Sequence, residues 1–384
     1  MKKIFTTITC TFCLLFGAIA QPGSIDTGFN PGSGADKNVY DIALQQDGKI
    51  IIAGDFANYN STNRNGIARL NADGSLDATF YPGKGVEEYQ SVNTLAIQPD
   101  GKIIIGGYFT SYNEIPCNFI ARLNADGSLD NSFKPGTGAD NTIDIVYFLP
   151  DGKIIIGGVF TTFNGTTCNH IARLNADGSL DAGFKPGTGA DVRVQAIALL
   201  PDKKIIIGGM FKSFNGNACG RIARLNADGS LDKTFNSSGV GADSEVSAIE
   251  ILPDGKIIIG GSFKVYNSVS RICLARLNAN GSLDAGFNPA TNTKAISIND
   301  LIIQSDGKIV IQTSASSDAS YFGITTVTRL NSDGSLDSNF NTGKGPDTDI
   351  YTLTLQPDGK ILAGGMFSNF NNTAAKGIVR INAK

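Results

Sequence analysis

The chain has 384 residues, 32 Lys and Arg against 35 Asp and Glu, one histidine, no tryptophan and 46 glycines. That mildly acidic balance supplies no basic face for a phosphate backbone and excludes nucleic acid as a partner. Beyond the first twenty residues no apolar run reaches the ~20 residues of a membrane span. Apolar spacing of three and four is missing as well, so neither a spanning helix nor a helical fold is expected.

Met1-Lys2-Lys3, an apolar run from Ile4 to Phe16 and Ala18-Ile19-Ala20 form a secretory signal peptide over residues 1–20, cut before Gln21. Cys10 and Cys13 leave with it. The mature chain, 21–384, is expected to be exported as one monomeric domain to the periplasm, the cell surface or the extracellular medium.

From there one pattern repeats. The decapeptide ARLNADGSLD stands whole at Ala121 to Asp130, Ala172 to Asp181 and Ala223 to Asp232, with near copies around Arg69, Arg276, Arg329 and Arg380. Seven arginines at a period near fifty mark seven structural units. In the second unit Val92 to Gln98 reads as a strand, Pro99-Asp100-Gly101 as a turn and Lys102 to Phe109 as a second strand. Phe119 to Asn124 and Ser128 to Phe133 then form a hairpin around Ala125-Asp126-Gly127, with Gly at the left-handed position. That register sets Arg122 opposite Asp130; an exposed pair of this kind contributes only ~0–1 kcal/mol. A calcium loop is the sharper reading of Asn-x-Asp-Gly, but its first and last ligand positions would be Arg122 and Phe133, so no metal is expected.

Four short antiparallel strands per unit, seven times over, predict an all-β fold: a seven-bladed β-propeller of four-stranded blades. The isoleucine runs at Ile103, Ile154, Ile205 and Ile257 suit sheets covered on both sides. The last unit ends at Arg380-Ile381-Asn382-Ala383-Lys384, half a hairpin, and the other half is Gly23 to Phe29. Asp26 is therefore expected to pair with Arg380, closing the ring with Lys384 at the turn Asp position and removing the free edges of an open array.

These units resemble the delta-60 repeat of bacterial exported proteins, whose pattern is a strand, PDGK, an apolar strand with Gly-Gly, then R-L-N-x-D-G-S-L-D and Phe. The resemblance covers nearly all of the mature chain and implies a propeller on a secreted or surface protein, with no catalytic residues to carry over. Lys203 departs from it by replacing the turn glycine of the fourth unit, and Gln312-Thr313 by replacing Gly-Gly in the sixth, where Ala315 also replaces Phe. The sixth unit is expected to pack least well.

Within each unit the distance from the first strand residue (Val39, Val92, Ile143, Val194, Val246, Ile298, Ile350) to the lysine after the turn is constant. Variation falls on the opposite face, in the crossovers and the loops between second and third strands. Recognition belongs on loops held by an invariant scaffold, so ligand binding is assigned to that face. The second residues of the first strands, Tyr40, Asn93, Asp144, Gln195, Ser247, Asn299 and Tyr351, are expected to ring the channel mouth as the binding site, with a glycan, peptide or surface protein as partner and no cofactor.

Other chemistry is weaker. His170, the only imidazole, is expected at the solvated surface. Cys117, Cys168 and Cys219 occupy equivalent places in successive blades, too far apart for a disulfide or a zinc cluster. Asp36, Asp140, Asp191, Asp243 and Asp347 suggest a diffuse acidic crown. Asp41, Asp144, Glu250 and Asp300 are the sole acid/base set for a hydrolase or lyase, and they lie at three depths in the strand pattern. A non-enzymatic binding role leads; the hydrolase or lyase and a structural envelope component are the alternatives.

Overall fold

The computed structural model describes residues 21–289, 295–317 and 320–383, and every regular element in them is a strand. The expected signal peptide and the position expected for Lys384 lie outside these residues. The described residues form seven three-stranded antiparallel sheets with the Ile-rich strand in the middle, such as Val39–Leu44, Ile50–Gly54 and Ile67–Leu70. The isoleucine runs of the middle strands are buried because both faces are covered; Ile50, Ile51 and Ile52 expose nothing. The first strand of each sheet packs against the first strand of the next, and Val39–Leu44 also packs against Ile350–Leu355 of the seventh.

The expected fourth strand shrinks to a single bridge, Leu123↔Leu129 in the second unit. Its chain bends away at once because Asp130 Oδ1 accepts the Ser132 amide at 2.9 Å, an Asx turn that competes with the ladder. Six units instead add a two-stranded ribbon in the loop after the middle strand, for example Ser111–Tyr112 with Ile115–Pro116. The sixth unit differs: its strands lengthen to Ala295–Ile303, Ile309–Ser317 and Ser320–Leu330, and buried Gln312 accepts the Asn299 amide at 3.0 Å. Its core around Ile298, Leu301 and Ile311 is as buried as the others.

The decapeptide turn also joins neighbouring units. Gly127 has φ +91°, and a Cβ there would lie 2.9 Å from the Phe80 ring of the preceding unit. The Arg–Asp pairs, which would contribute only ~0–1 kcal/mol if exposed, are largely buried. Arg122 and Asp130 are each 7% exposed, with Nε 2.7 Å from Oδ2. Phe133 lies 5.0 Å below the guanidinium, Lys102 meets the same carboxylate at 2.9 Å, and Arg122 Nη1 donates to Ala176 O of the next turn at 2.5 Å. The next unit's turn and the ring beneath together exclude water from the pair.

The same arrangement runs through the chain. Arg69 donates to Ala125 O, Arg173 to Ala227 O, Arg224 to Ala279 O, Arg276 to Ser332 O, Arg329 to Ala383 O and Arg380 to Ala72 O. At the chain ends Ile25 bridges Ile381, the Asp26 amide donates to Arg380 O at 2.8 Å, and Asp26 Oδ2 lies 2.6 Å from Arg380 Nε.

Lys203 holds φ +66° where the equivalent Gly101 and Gly152 also have positive φ. Left-handed geometry costs a non-glycine residue ~1 kcal/mol, so Lys203→Gly is expected to stabilise by about that amount. An unchanged urea midpoint would show that the lysine side chain compensates for the strain.

Candidate functional site

The first strands pair with the middle strands through a recurrent irregularity. Val92 faces Gly107 and Thr94 faces Gly106, leaving Asn93 as an extra residue. Tyr40, Asp144, Gln195, Ser247 and Tyr351 are the extra residues of the same bulge in their own sheets, while Asn299 lies in a longer irregularity between Ile298 and Leu301. Bulges re-aim side chains and recur at barrel rims beside active sites. The second glycine of Gly-Gly permits this one: a Cβ on Gly107 would sit 2.2 Å from Ser91 O.

All seven bulge residues are half-buried, but their engagements differ. Tyr40 and Tyr351 come together with ring centroids 5.4 Å apart and planes tilted by 49°. Asn38 Nδ2 donates to Tyr40 Oη at 3.1 Å and to Asp55 Oδ2 at 3.3 Å, and Tyr351 Oη donates to Met366 Sδ at 3.7 Å. Burial pushes both phenols up, Tyr351 to about 12, with the Asp55 and Asp349 charges adding to the effect. Asp144 lies 3.3 Å from Arg193 Nε; burial raises its pKa against the pull of that guanidinium. Asn93 accepts Ser91 Oγ at 2.7 Å, Ser247 Oγ turns to Ile298 O of the next sheet at 2.7 Å, and Gln195 Oε1 is buried with no partner among the described residues. The structure thus joins the two tyrosines and leaves the other five apart from them.

The inner carboxyls regroup. Asp41 accepts the Ile42 and Leu95 amides, each at 2.8 Å, and Asp300 accepts Leu301 at 2.8 Å and Leu353 at 2.7 Å. Each therefore links its own first strand to the next one. Burial pushes Asp41 up to about 6, Glu250 to about 7 and Asp300 to about 7, and Asp300 also feels the charges of Glu250 and Asp41. Asp144 is not part of this group.

Two other expectations change, and the free cysteines are as expected. Asp36, Asp140, Asp191 and Asp243 each accept two consecutive ribbon amides through Oδ1, as Asp140 does from Thr161 and Thr162 at 2.8 and 3.0 Å. The crown is loop architecture, because a carboxylate can satisfy both amides of a tight ribbon. His170 is half-buried rather than solvated, with Nδ1 3.1 Å from Gly158 O, and burial lowers its pKa. Cys117, Cys168, Cys219 and Cys273 are free thiols that burial pushes up to about 11 or 12, which makes them poor nucleophiles. Among the described residues no group of three His, Cys, Asp or Glu is placed to hold a metal ion.

The sequence reading missed the residue after Gly-Gly. Tyr108 and Met210 at that position are exposed, as are Tyr89 and Val192 just before first strands and Ile296 at the start of one. The signal was the sharp change from a position that is glycine in six of the seven units to Asp55, Tyr108, Val159, Met210, Ser262, Ser314 and Met366. A separate cavity of about 310 Å³ opens on the tight-turn face between the third and fourth units. Leu149, Leu199, Ile205, Lys203 and Arg173 line it, with leucines where the preceding pair of units has Gln98 and Phe148.

No curated protein matches the sequence. Among solved structures, the chain is similar to the extracellular domain of a hybrid two-component system from B. thetaiotaomicron, at 16% identity and TM-score 0.53, over 94% of this chain and 41% of that one. It is also similar to PorZ, a surface component of the type-IX secretion system of Porphyromonas gingivalis, at 14% identity and TM-score 0.53, over 92% of this chain and 47% of that one. The chain spans less than half the length of either, and the likeness is one of fold alone. Virginiamycin B lyase from Staphylococcus aureus matches at 15% identity over 92% of this chain and 97% of that one, with TM-score 0.46. The family model described as a domain of unknown function (DUF5122) beta-propeller matches residues 45–80, 98–133, 149–184, 200–235, 252–287, 304–340 and 356–383. These seven matches cover well over half of the chain, which belongs to that family.

Proposed function

We propose that the seven sheets close into a seven-bladed propeller and that the exported protein is a non-enzymatic binding module, monomeric, taking a glycan, peptide or surface partner at the mouth of its first strands. Closure is supported by the run of arginine-to-turn hydrogen bonds that returns from Arg380 to Ala72. Export is supported by the signal-peptide pattern of residues 1–20 and by the extracellular and surface settings of the two propellers at TM-score 0.53. No helix among the described residues is long and apolar enough to cross a membrane.

The observation that carries the binding role is the Tyr40–Tyr351 pair on adjoining bulges, two aromatic faces at a half-buried mouth. Aromatic faces provide large contact area at low entropic cost and dominate many recognition sites. The test is a glycan and secreted-protein screen with the mature chain and the Tyr40→Ala/Tyr351→Ala variant. At least tenfold weaker binding in the double variant is expected, whereas undiminished binding places the ligand elsewhere.

A hydrolase or lyase acting through Glu250 is favoured by one feature, a buried carboxyl held near neutrality whose charge is felt by Asp300. Against it, the Asp41 and Asp300 carboxylates are occupied by backbone amides of neighbouring strands. A structural envelope role would leave the paired tyrosines without a use.

A further inference from the structure

We propose that the ligand at this mouth presents an ammonium group, carried on a lysine side chain of a peptide, to the faces of Tyr40 and Tyr351. The proposal rests on the mouth being the binding site and names the chemistry taken there.

The first observation is the ring pair itself. Two half-buried tyrosine rings pack against each other with centroids 5.4 Å apart and planes tilted by 49°, and the negative face of an aromatic ring attracts a cation seated over it. Independently, the two carboxylates whose charges reach these rings, Asp55 and Asp349, are uncompensated. Asp55 accepts the Asn38 amide at 3.0 Å and its side chain at 3.3 Å, and Asp349 accepts Thr325 Oγ1 at 2.8 Å. Among the described residues, neither carboxylate has a lysine or arginine within ion-pair distance. The opposite face is the reverse: Asp77, Asp130, Asp181, Asp232, Asp284, Asp337 and Asp26 each meet both an arginine and a lysine. The repeat spends its cations on the turn face. At the mouth Arg193 is engaged by Asp144, and Lys37 lies over the Tyr89 ring at 5.5 Å.

An anion would face Asp55 and Asp349 directly, and a neutral sugar would stack while leaving both carboxylates unpaired. An ammonium satisfies rings and carboxylates together, and a charged recess of one sign draws the opposite sign inward. A peptide fits better than a free amine because Tyr89, Tyr108 and Met210 stand exposed, apolar surface that a small cation would leave uncovered.

The experiment is calorimetric titration of the full mature chain at 50 and 300 mM salt. The titrants are a short peptide with one central lysine between apolar residues, the same peptide Nε-acetylated, its glutamate counterpart, and choline and spermidine. The lysine peptide is expected to bind, to weaken with salt, and to lose at least tenfold on acetylation. Asp349→Asn and Asp55→Asn, each checked for an unchanged melting curve, should weaken it about tenfold. Binding of choline or spermidine alone, blocked by Tyr40→Ala/Tyr351→Ala, retains the ammonium and moves its source to a free amine. Equal binding of the acetylated peptide, or binding of a neutral glycan that needs the tyrosines, overturns the ammonium and leaves the mouth as the site. Lysine-peptide binding indifferent to the tyrosine pair overturns both, and no binding of any titrant at millimolar concentration overturns the ammonium.

Discussion

Arg380→Ala is expected to cost about 3–5 kcal/mol of stability, the range for removing one partner of a buried ion pair. Arg380 does three things at once. Its Nε lies 2.6 Å from Asp26 Oδ2, its Nη1 donates to Ala72 O at 2.6 Å, and its guanidinium lies 4.9 Å over the Phe29 ring. The pair is largely buried, with side-chain exposures of 10% and 12%, so water cannot replace what is lost. Lys360, at 2.7 Å from the same carboxylate, would compensate only in part. Because the contact joins residues 354 apart in sequence, its loss also frees the leading segment to leave the Ile381 edge. Lys84→Ala is the control: its partner Glu114 and the lysine are both 72% exposed, so the change should be within about 1 kcal/mol. Guanidinium denaturation of the two variants at pH 7 makes the comparison. Equal and small losses would mean that the chain ends contribute nothing to the fold's stability.

The second large effect is with pH: stability should peak a little above pH 4 and fall on both sides. On the turn face, burial pushes the aspartates up, but hydrogen bonds from Lys, Arg and neighbouring amides outweigh it, leaving Asp181 and Asp284 at about 2 and Asp77, Asp130 and Asp232 lower still. A carboxyl more acidic in the fold than in the unfolded chain stabilises above its unfolded pKa and ceases to do so as pH falls through its folded value. That face therefore fails between about pH 4 and 2. Inside the first strands the sign reverses. Asp41 at about 6 and Glu250 and Asp300 at about 7 keep protons that the unfolded chain releases near pH 4, so stability drains as pH rises from 4 through 7. Moving Glu250 from 4.5 to about 7 corresponds to about 3 kcal/mol at 1.36 kcal/mol per pKa unit, shared with the neighbouring acids rather than additive. Glu250→Gln should raise the melting temperature at pH 8 and flatten the slope between pH 5 and 8. An identical profile in that variant would show that Glu250 titrates normally in the fold.

How much of this was legible depends on how local each interaction is. The strand, turn and hairpin of each unit follow from residues within ten positions of one another: Asn124, Asp126 and Gly127 set the loop, and the Leu123↔Leu129 bridge follows from it. The bulge residues were legible as a set because every unit places them at the same distance from its turn. Their division was not. Tyr40 and Tyr351 meet because they belong to the first and last units, and Asp300 senses Asp41 and Glu250 across the same kind of distance. The acids of the loop face looked like a free crown only because the ribbon that occupies them is an irregular loop without periodicity.

The repeat by itself determined the β class, the seven units, the hairpin register and the residue types on the turn face, since each rests on turn chemistry and alternation inside one unit. Tertiary structure alone decided that the arginines are buried joints between units and that two tyrosines pack against each other. It also decided that three carboxyls hold protons near neutrality. Burial and charge at these places come from the neighbouring unit, and the pattern of any single unit carries no information about what its neighbour covers.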